Sequence, residues 1–276
     1  MSDTATAIIA SFHLVRYETL GAMRHMAFDR PLLRATPGLR FWRLLGTGKG
    51  MSMSLGADLR RWALFAVWRE ERDLDAFLRR SPVPARWRDE AVELWQVRLR
   101  PLASRGAWGG VDPFAPDGLP DGGPLDPARG AGGARSRRTG GPVAVLTRAS
   151  IRPGRLVAFY RSVPAVDRAL RDQDGRLASV GVGEWPPARQ ATFSLWRDAE
   201  AVDRFAYGAA EHRRVIGLVR AQGWYGEELF ARFAPYGGEG HWDGRDPLAR
   251  RPHPDPRDPL ARRPHPDPRA PFSTGS

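Results

Sequence analysis

The chain has 276 residues, no cysteine, and 43 Lys plus Arg against 31 Asp plus Glu, a formal net charge of +12. The missing cysteine excludes disulfides, zinc–thiolate sites, thiolate-bound haem and cysteine nucleophiles. No apolar run approaches the roughly twenty residues that span a bilayer, and the start lacks a signal-peptide pattern, so a cytoplasmic protein is expected. The charge is almost all arginine, Lys49 being the sole lysine, and it is scattered through the predicted elements rather than gathered in one basic run. That distribution does not favour nucleic acid as a partner, and it permits weak attraction to an anionic membrane surface.

In chain order, Ile8–Tyr17 alternates as a first strand, and Glu18–Arg34 carries Leu20, Met23, Met26 and Leu33 at helical spacing up to Pro37-Gly38. Leu39–Leu45 and Trp62–Trp68 read as strands around a glycine hairpin, Gly46–Gly50, which lacks Walker spacing. Helices follow through Leu74, Phe77 and Leu78 and, after Pro84, through Trp87, Ala91 and Leu94; Val97–Ala103 is a closing strand.

Pro101–Gly141 is dense in glycine and proline and reads as a linker whose first part Trp108 and Phe114 could dock. The order then restarts: strand 143–151, helix 155–170, strand 177–185, strand from Ala191, a helix capped by Asp198, and a strand from Trp224. Two segments align without gaps, ALFAVWREERDLDAFL and ATFSLWRDAEAVDRFA. Trp196, Asp203 and Phe205 each lie 128 positions after Trp68, Asp75 and Phe77.

The predicted fold class is therefore α+β. It comprises two fused ferredoxin-like β-α-β-β-α-β repeats, packed sheet to sheet in the manner of a dimeric α/β barrel and enclosing space between them. The first repeat is placed at 7–104, the linker at 105–141, the second repeat at 142–236 and a low-complexity, disordered tail at 237–276. In that tail RDPLARRPHPDP occurs at 245–256 and again at 257–268.

One histidine stands out. Phe205, Ala209, His212, Ile216 and Val219 share a helix face, so His212 lies in an apolar stripe, and at the 128 offset it falls opposite Pro84. Such a residue is a haem ligand, a general base or a hydrogen-bonded core histidine, and pattern alone makes the last the default. His13 and His25 lack the carboxylate spacing of a metal cluster. Glu184, at the mouth of a hairpin, is either a polar group in a cavity or a solvated turn residue.

Several stretches, among them FWRLLGTGKG (41–50), RGAWGGVDPFAP (105–116), GVGEWP (181–186), TFSLWRD and RAQGWYGEELFARF, resemble the spheroidene monooxygenase family over roughly residues 8–235. The family motif VPWLHQ is replaced here by Trp185-Pro186-Pro187-Ala188-Arg189-Gln190, without its histidine. The resemblance implies an oxygen-dependent monooxygenase of carotenoid biosynthesis. Its substrate would be an acyclic carotenoid such as spheroidene, oxidised at C-2 through a hydroxylated intermediate to the ketone. It also implies haem, molecular oxygen and a ferredoxin-type electron donor, with His212 as the iron ligand. On that reading Arg213 or Arg214 would pair with haem propionates, and Trp42, Glu184, Phe193 and Trp196 would line the substrate pocket. A lipophilic substrate implies work at the membrane surface. Two alternatives stay open: a cofactor-free, antibiotic-biosynthesis-type monooxygenase or other haem-handling enzyme of this architecture, and a non-enzymatic lipid or nucleic-acid binding module.

Overall fold

The structure is a computed structural model and describes residues 8–20, 24–48, 56–115, 140–161, 163, 173–185, 189–208 and 222–249. Eight antiparallel strands close into one barrel. The first half supplies β1 (Ile9–Tyr17), β2 (Leu39–Gly48), β3 (Ala57–Trp68) and β4 (Ala91–Gly106), with helices α1 (His25–Arg34), α2 (Glu71–Arg80) and α3 (Pro82–Glu90). The second supplies β5 (Val143–Ile151), β6 (Arg176–Trp185), β7 (Arg189–Trp196) and β8 (Tyr225–Gly240), with α4 (Ala199–Gly208) and a helical stretch at 156–161. Around the barrel the order is β1-β3-β2-β6-β7-β5-β8-β4.

Local chemistry explains the helix boundaries. Ser81 accepts from the Val83 amide at 3.3 Å and Pro82 fills the first position of α3, where no amide hydrogen is needed. Asp198 caps α4 by accepting from the Ala201 amide at 2.7 Å, as its sequence position predicts. In the strands, alternation sorts side chains between the barrel interior and the helix-covered outside. Ala10, Phe12 and Leu14 point inward, while Ile9, Val15 and Tyr17 pack beneath the helices of the first half.

The expected two sheets packed face to face are instead one sheet. They join edge to edge, briefly at β2–β6 and along the 16-residue strands β4 and β8. The expected space between them is filled: the Phe12 and Phe193 rings stack 3.9 Å apart, and Phe65, Phe233, Trp95 and Leu146 are fully buried beside them. Eight-stranded barrels have an interior just wide enough for side chains to fill.

The two halves are equivalent in detail. Ile9 pairs with Trp68 and Ala10 with Leu99, just as Val143 pairs with Trp196 and Ala144 with Phe233. The offset is 128 at Trp196 but 134 at Phe233, so the helical connection is six residues longer in the second half. The constant offset that set His212 opposite Pro84 therefore does not run through that connection.

Composition misplaced the ends of both halves. Residues 105–115 and 237–249 are not linker and tail; β8 runs to Gly240, and the segments after β4 and β8 dock into the barrel. They share the pattern G-x-W-x-G-x-D-P-x-A, at 106–115 and 240–249. Ala107 and His241 amides donate to the carbonyls of Glu228 and Leu94, each at 2.9 Å. Trp108 and Trp242 amides donate to Val111 and Arg245 carbonyls, each at 2.8 Å. Phe114 and Leu248 amides donate to Asp112 and Asp246 side chains, each at 2.9 Å. Gly106 (φ +90) and Gly240 (φ +86) start the two plugs, and a Cβ at either would lie 2.0 Å from the Glu228 or Leu94 carbonyl oxygen. Only glycine fits there.

Candidate functional site

Two regions carry polar side chains that the core does not require. The first is the barrel mouth under the Trp108 plug. Alternation turns Arg43, Arg148, Glu184 and Glu227 inward, on four different strands. Glu184 takes the Arg43 guanidinium at 2.7 Å and the Trp108 indole N–H at 2.9 Å. Glu227 pairs with Arg148 and also accepts from the Gly109 and Gly110 amides, at 2.6 and 3.1 Å. Burial pushes the pKa of both arginines down, and the two carboxylates act against it. Arg148 is 3% exposed, and its Nε has no hydrogen-bond partner among the described residues. Two positive and two negative groups compensate one another, so this network locks the plug in place.

The second region is the outer face of the second half. Register makes three rungs directly comparable. In the first half they are Trp42–Ala66, Leu44–Leu64 and Gly46–Trp62; in the second, Ser179–Ser194, Gly181–Thr192 and Gly183–Gln190. Two tryptophans and two leucines are thus replaced by Ser179, Gly181, Gln190 and Thr192. The neighbouring central-strand position diverges too: His13 is buried beneath α2 and α3 against Phe77 and Trp87, whereas its counterpart Thr147 is exposed.

On one side of this strip α4 packs Ala201, Val202 and Phe205 onto Val143, Val145 and Trp196. On the other, Phe159 packs onto Ile151 and Trp224. A strip of small and polar residues, with Ser179, Gln190 and Ser194 buried, runs between these two clusters. In the first half the corresponding surface is a continuous apolar cluster under α1, α2 and α3.

The predicted site residues divide accordingly. His212, Arg213 and Arg214 lie outside the described residues. Phe193 and Glu184 both face the barrel interior, one in the aromatic core and the other in the charge network. Trp42 and Trp196 sit on the outer face, Trp42 in the cluster of the first half and Trp196 against Phe205, its indole donating to Ser194 at 2.9 Å. Phe193 and Trp196 are three apart on one strand and therefore face opposite ways, so the four residues do not line one pocket. His25 bonds Glu90 at 2.7 Å and His13 bonds Ser11 at 2.9 Å, each a local structural contact. Among the described residues no three His, Asp or Glu side chains gather as a metal site.

Sequence reasoning missed Arg43, Arg148 and Glu227, which inward parity on each strand would have flagged; the docking of Trp108 and Phe114 it did anticipate. It also passed over Gln190 and Thr192, which only a comparison of the halves rung by rung brings out.

The architecture defines the class, an α+β barrel made of two equivalent halves. Its backbone is similar to the crystal structure of an aldoxime dehydratase, with TM-score 0.54 at 16% identity over 85% of this chain and 83% of that one, a likeness of fold. No family model matches. The chain is 34% identical over 247 residues to the spheroidene monooxygenase of Rhodobacter capsulatus, covering 88% of this chain and 96% of that protein. It is 37% identical over 226 residues to that of Rubrivivax gelatinosus, covering 82% and 79%. The chain belongs to the spheroidene monooxygenase family.

Proposed function

We propose that this enzyme is a haem-dependent monooxygenase that oxidises an acyclic, spheroidene-like carotenoid at C-2, on to the ketone, on a scaffold of two ferredoxin-like repeats. Family membership supports the reaction class and the carotenoid. The observation that carries the location is the outer face of the second half, where Ser179, Gly181 and Thr192 stand in place of Trp42, Leu44 and Leu64. Small residues let a flat group approach the sheet closely, and Phe205, Phe159 and Trp224 give apolar flanks.

These residues fit a haem or the polyene beside it. His212 would hold the iron through a neutral imidazole, and Arg213 or Arg214 would pair with propionates. Haem, once bound, supplies oxygen activation with electrons from a ferredoxin-type donor. The chain's own part is to orient the carotenoid end against that group and keep water out. Among the described residues no helix is long and apolar enough to cross a membrane, so the lipophilic substrate would be taken from the membrane surface. Leu20 and Phe28, at 50% and 62% exposure beside Arg24 and Arg30, are apolar and basic groups suited to such contact.

The test is the absorption spectrum of protein purified with haem supplied, beside a His212→Ala variant. A Soret band that is lost or shifted in the variant is the expected result. A colourless parent that takes up no haem overturns the haem reading and leaves the cofactor-free mechanism.

A further inference from the structure

The first half carries a half-open cavity of about 20 Å3 between α1 and the outer face of the sheet. It is lined by Tyr17 of β1, Leu44 of β2, Trp62 of β3, His25 and Asp29 of α1, and Trp87 of α3, among others. A Cβ on Gly46 would come 3.6 Å from Cζ3 of Trp62, so that edge of the indole faces Gly46 and the N–H lies at the opposite edge. The N–H is buried and has no hydrogen-bond partner among the described residues. The indoles of Trp68, Trp108, Trp196 and Trp224, by contrast, each donate at 2.9 Å. A buried indole N–H ordinarily finds an acceptor, and one left without costs free energy.

The rest of the lining supplies the complementary groups. Asp29 is paired with Arg86 through Oδ1, and a carboxylate keeps further lone pairs to accept with. Burial and the Glu90 charge push the Tyr17 pKa up to about 12, so its hydroxyl stays protonated and serves as donor or acceptor. Because the Asp29 charge is already matched by Arg86, the cavity calls for a neutral occupant, and its volume admits a water-sized group. A neutral group of that size that accepts from an N–H and donates to an oxygen is a hydroxyl.

We propose that this cavity is a hydroxyl-binding site, in which water or the hydroxyl end of a small alcohol accepts from the Trp62 indole and donates to Asp29 or Tyr17. It is separate from the carotenoid site proposed for the second half and does not depend on it.

The experiment is nuclear magnetic resonance of the full chain labelled with nitrogen-15. Ten tryptophans give at most ten indole N–H signals, and the one missing from Trp62→Phe belongs to Trp62. The expected result is a saturable shift of that signal on titration with ethanol while the Trp68 and Trp196 signals stay in place, or a cross-peak from it to a long-lived bound water. The saturable shift assigns the site to alcohols, and the water cross-peak without it assigns the site to water. Tyr17→Phe keeps the ring, weakens ethanol binding about two- to tenfold, the worth of one hydrogen bond, and identifies the signal if Trp62→Phe fails to fold. A Trp62 signal with no water cross-peak that moves only linearly, in step with the other indoles, overturns the proposal.

Discussion

Removing the second plug tests how the barrel is closed. Trp242 is 4% exposed and packs against Trp95 at 5.2 Å and Phe193 at 6.5 Å, in the interior core. Truncating a buried aromatic of this kind costs about 3–5 kcal/mol. For a domain of this size that lowers Tm by roughly 6–20 °C, at about 2–4 °C per kcal/mol. Gly240→Ala reaches the same contact through the backbone, because its Cβ would collide with the Leu94 carbonyl and the β4–β8 seam would have to open there. His241→Ala, at an exposed position between the two, is the control and changes stability by less than about 0.5 kcal/mol. Thermal unfolding followed by far-ultraviolet circular dichroism reads all three, together with chains ending after Tyr236 and after Ala249. The chain ending after Ala249 retains the parent transition, and the one ending after Tyr236 loses it. A Trp242→Ala transition within about 1 °C of the parent, or an intact fold after truncation at Tyr236, refutes the reasoning.

Three further outcomes follow from the same geometry. Glu184→Gln leaves Arg43 without its carboxylate and takes from the buried Arg148 the second of its two, and costs about 3 kcal/mol in urea unfolding; adding Arg43→Gln restores part of it, and simple additivity of the two would rule out the coupling. Burial lowers the His13 pKa from 6.5 to about 4. Between those values the unfolded chain binds a proton that the folded chain does not, so stability falls as pH drops through that window, by up to about 3 kcal/mol. His13→Gln flattens that limb; an unchanged slope from pH 6.5 to 4 assigns it to other groups. Gln190→Trp gives the second half the ring that Trp62 supplies at the same rung of the first. It abolishes carotenoid turnover while the unfolding transition stays close to that of the parent, and an active Gln190→Trp enzyme would move the substrate site elsewhere.

Much of the scaffold was legible because alternation and the 128 offset are local signals. Trp62–Trp68 and Ala191–Trp196 read as strands, the Asp198 cap was visible, and the restart at Val143 identified the duplication. Three things were not legible for physical reasons. The plugs have the glycine and proline content of linkers, and their shared pattern repeats at 134 rather than 128, so it falls out of register with the segment that revealed the repeat. Closure into one barrel depends on pairing between β4 and β8 and between β2 and β6, which no local periodicity encodes. Trp42 and Trp196 were assigned by bulk and aromaticity, whereas the face of a strand residue depends on parity, which places each opposite its inward neighbours Phe41 and Leu195.

The two halves show how one scaffold diverges. Where the duplicated parts serve closure, the same kind of contact recurs: Glu227 accepts from the Gly109 and Gly110 amides, Glu93 accepts from that of Gly244 at 3.3 Å, and each plug tryptophan enters the same interior core. Where the sheets meet their helices, the halves part. The first gathers Leu64, Trp68, Phe77 and Trp87 in one apolar cluster with Trp62 packed against it, which stabilises the fold. The second gives up that burial along Ser179, Gly181, Gln190 and Thr192 and leaves Thr147 exposed in the middle of a central strand. Forgoing apolar burial along three consecutive rungs lowers stability by several kcal/mol relative to a filled face. The chain thus keeps an apolar outer face in one half and a small and polar one in the other, on a sheet that both plugs help to close into a single barrel.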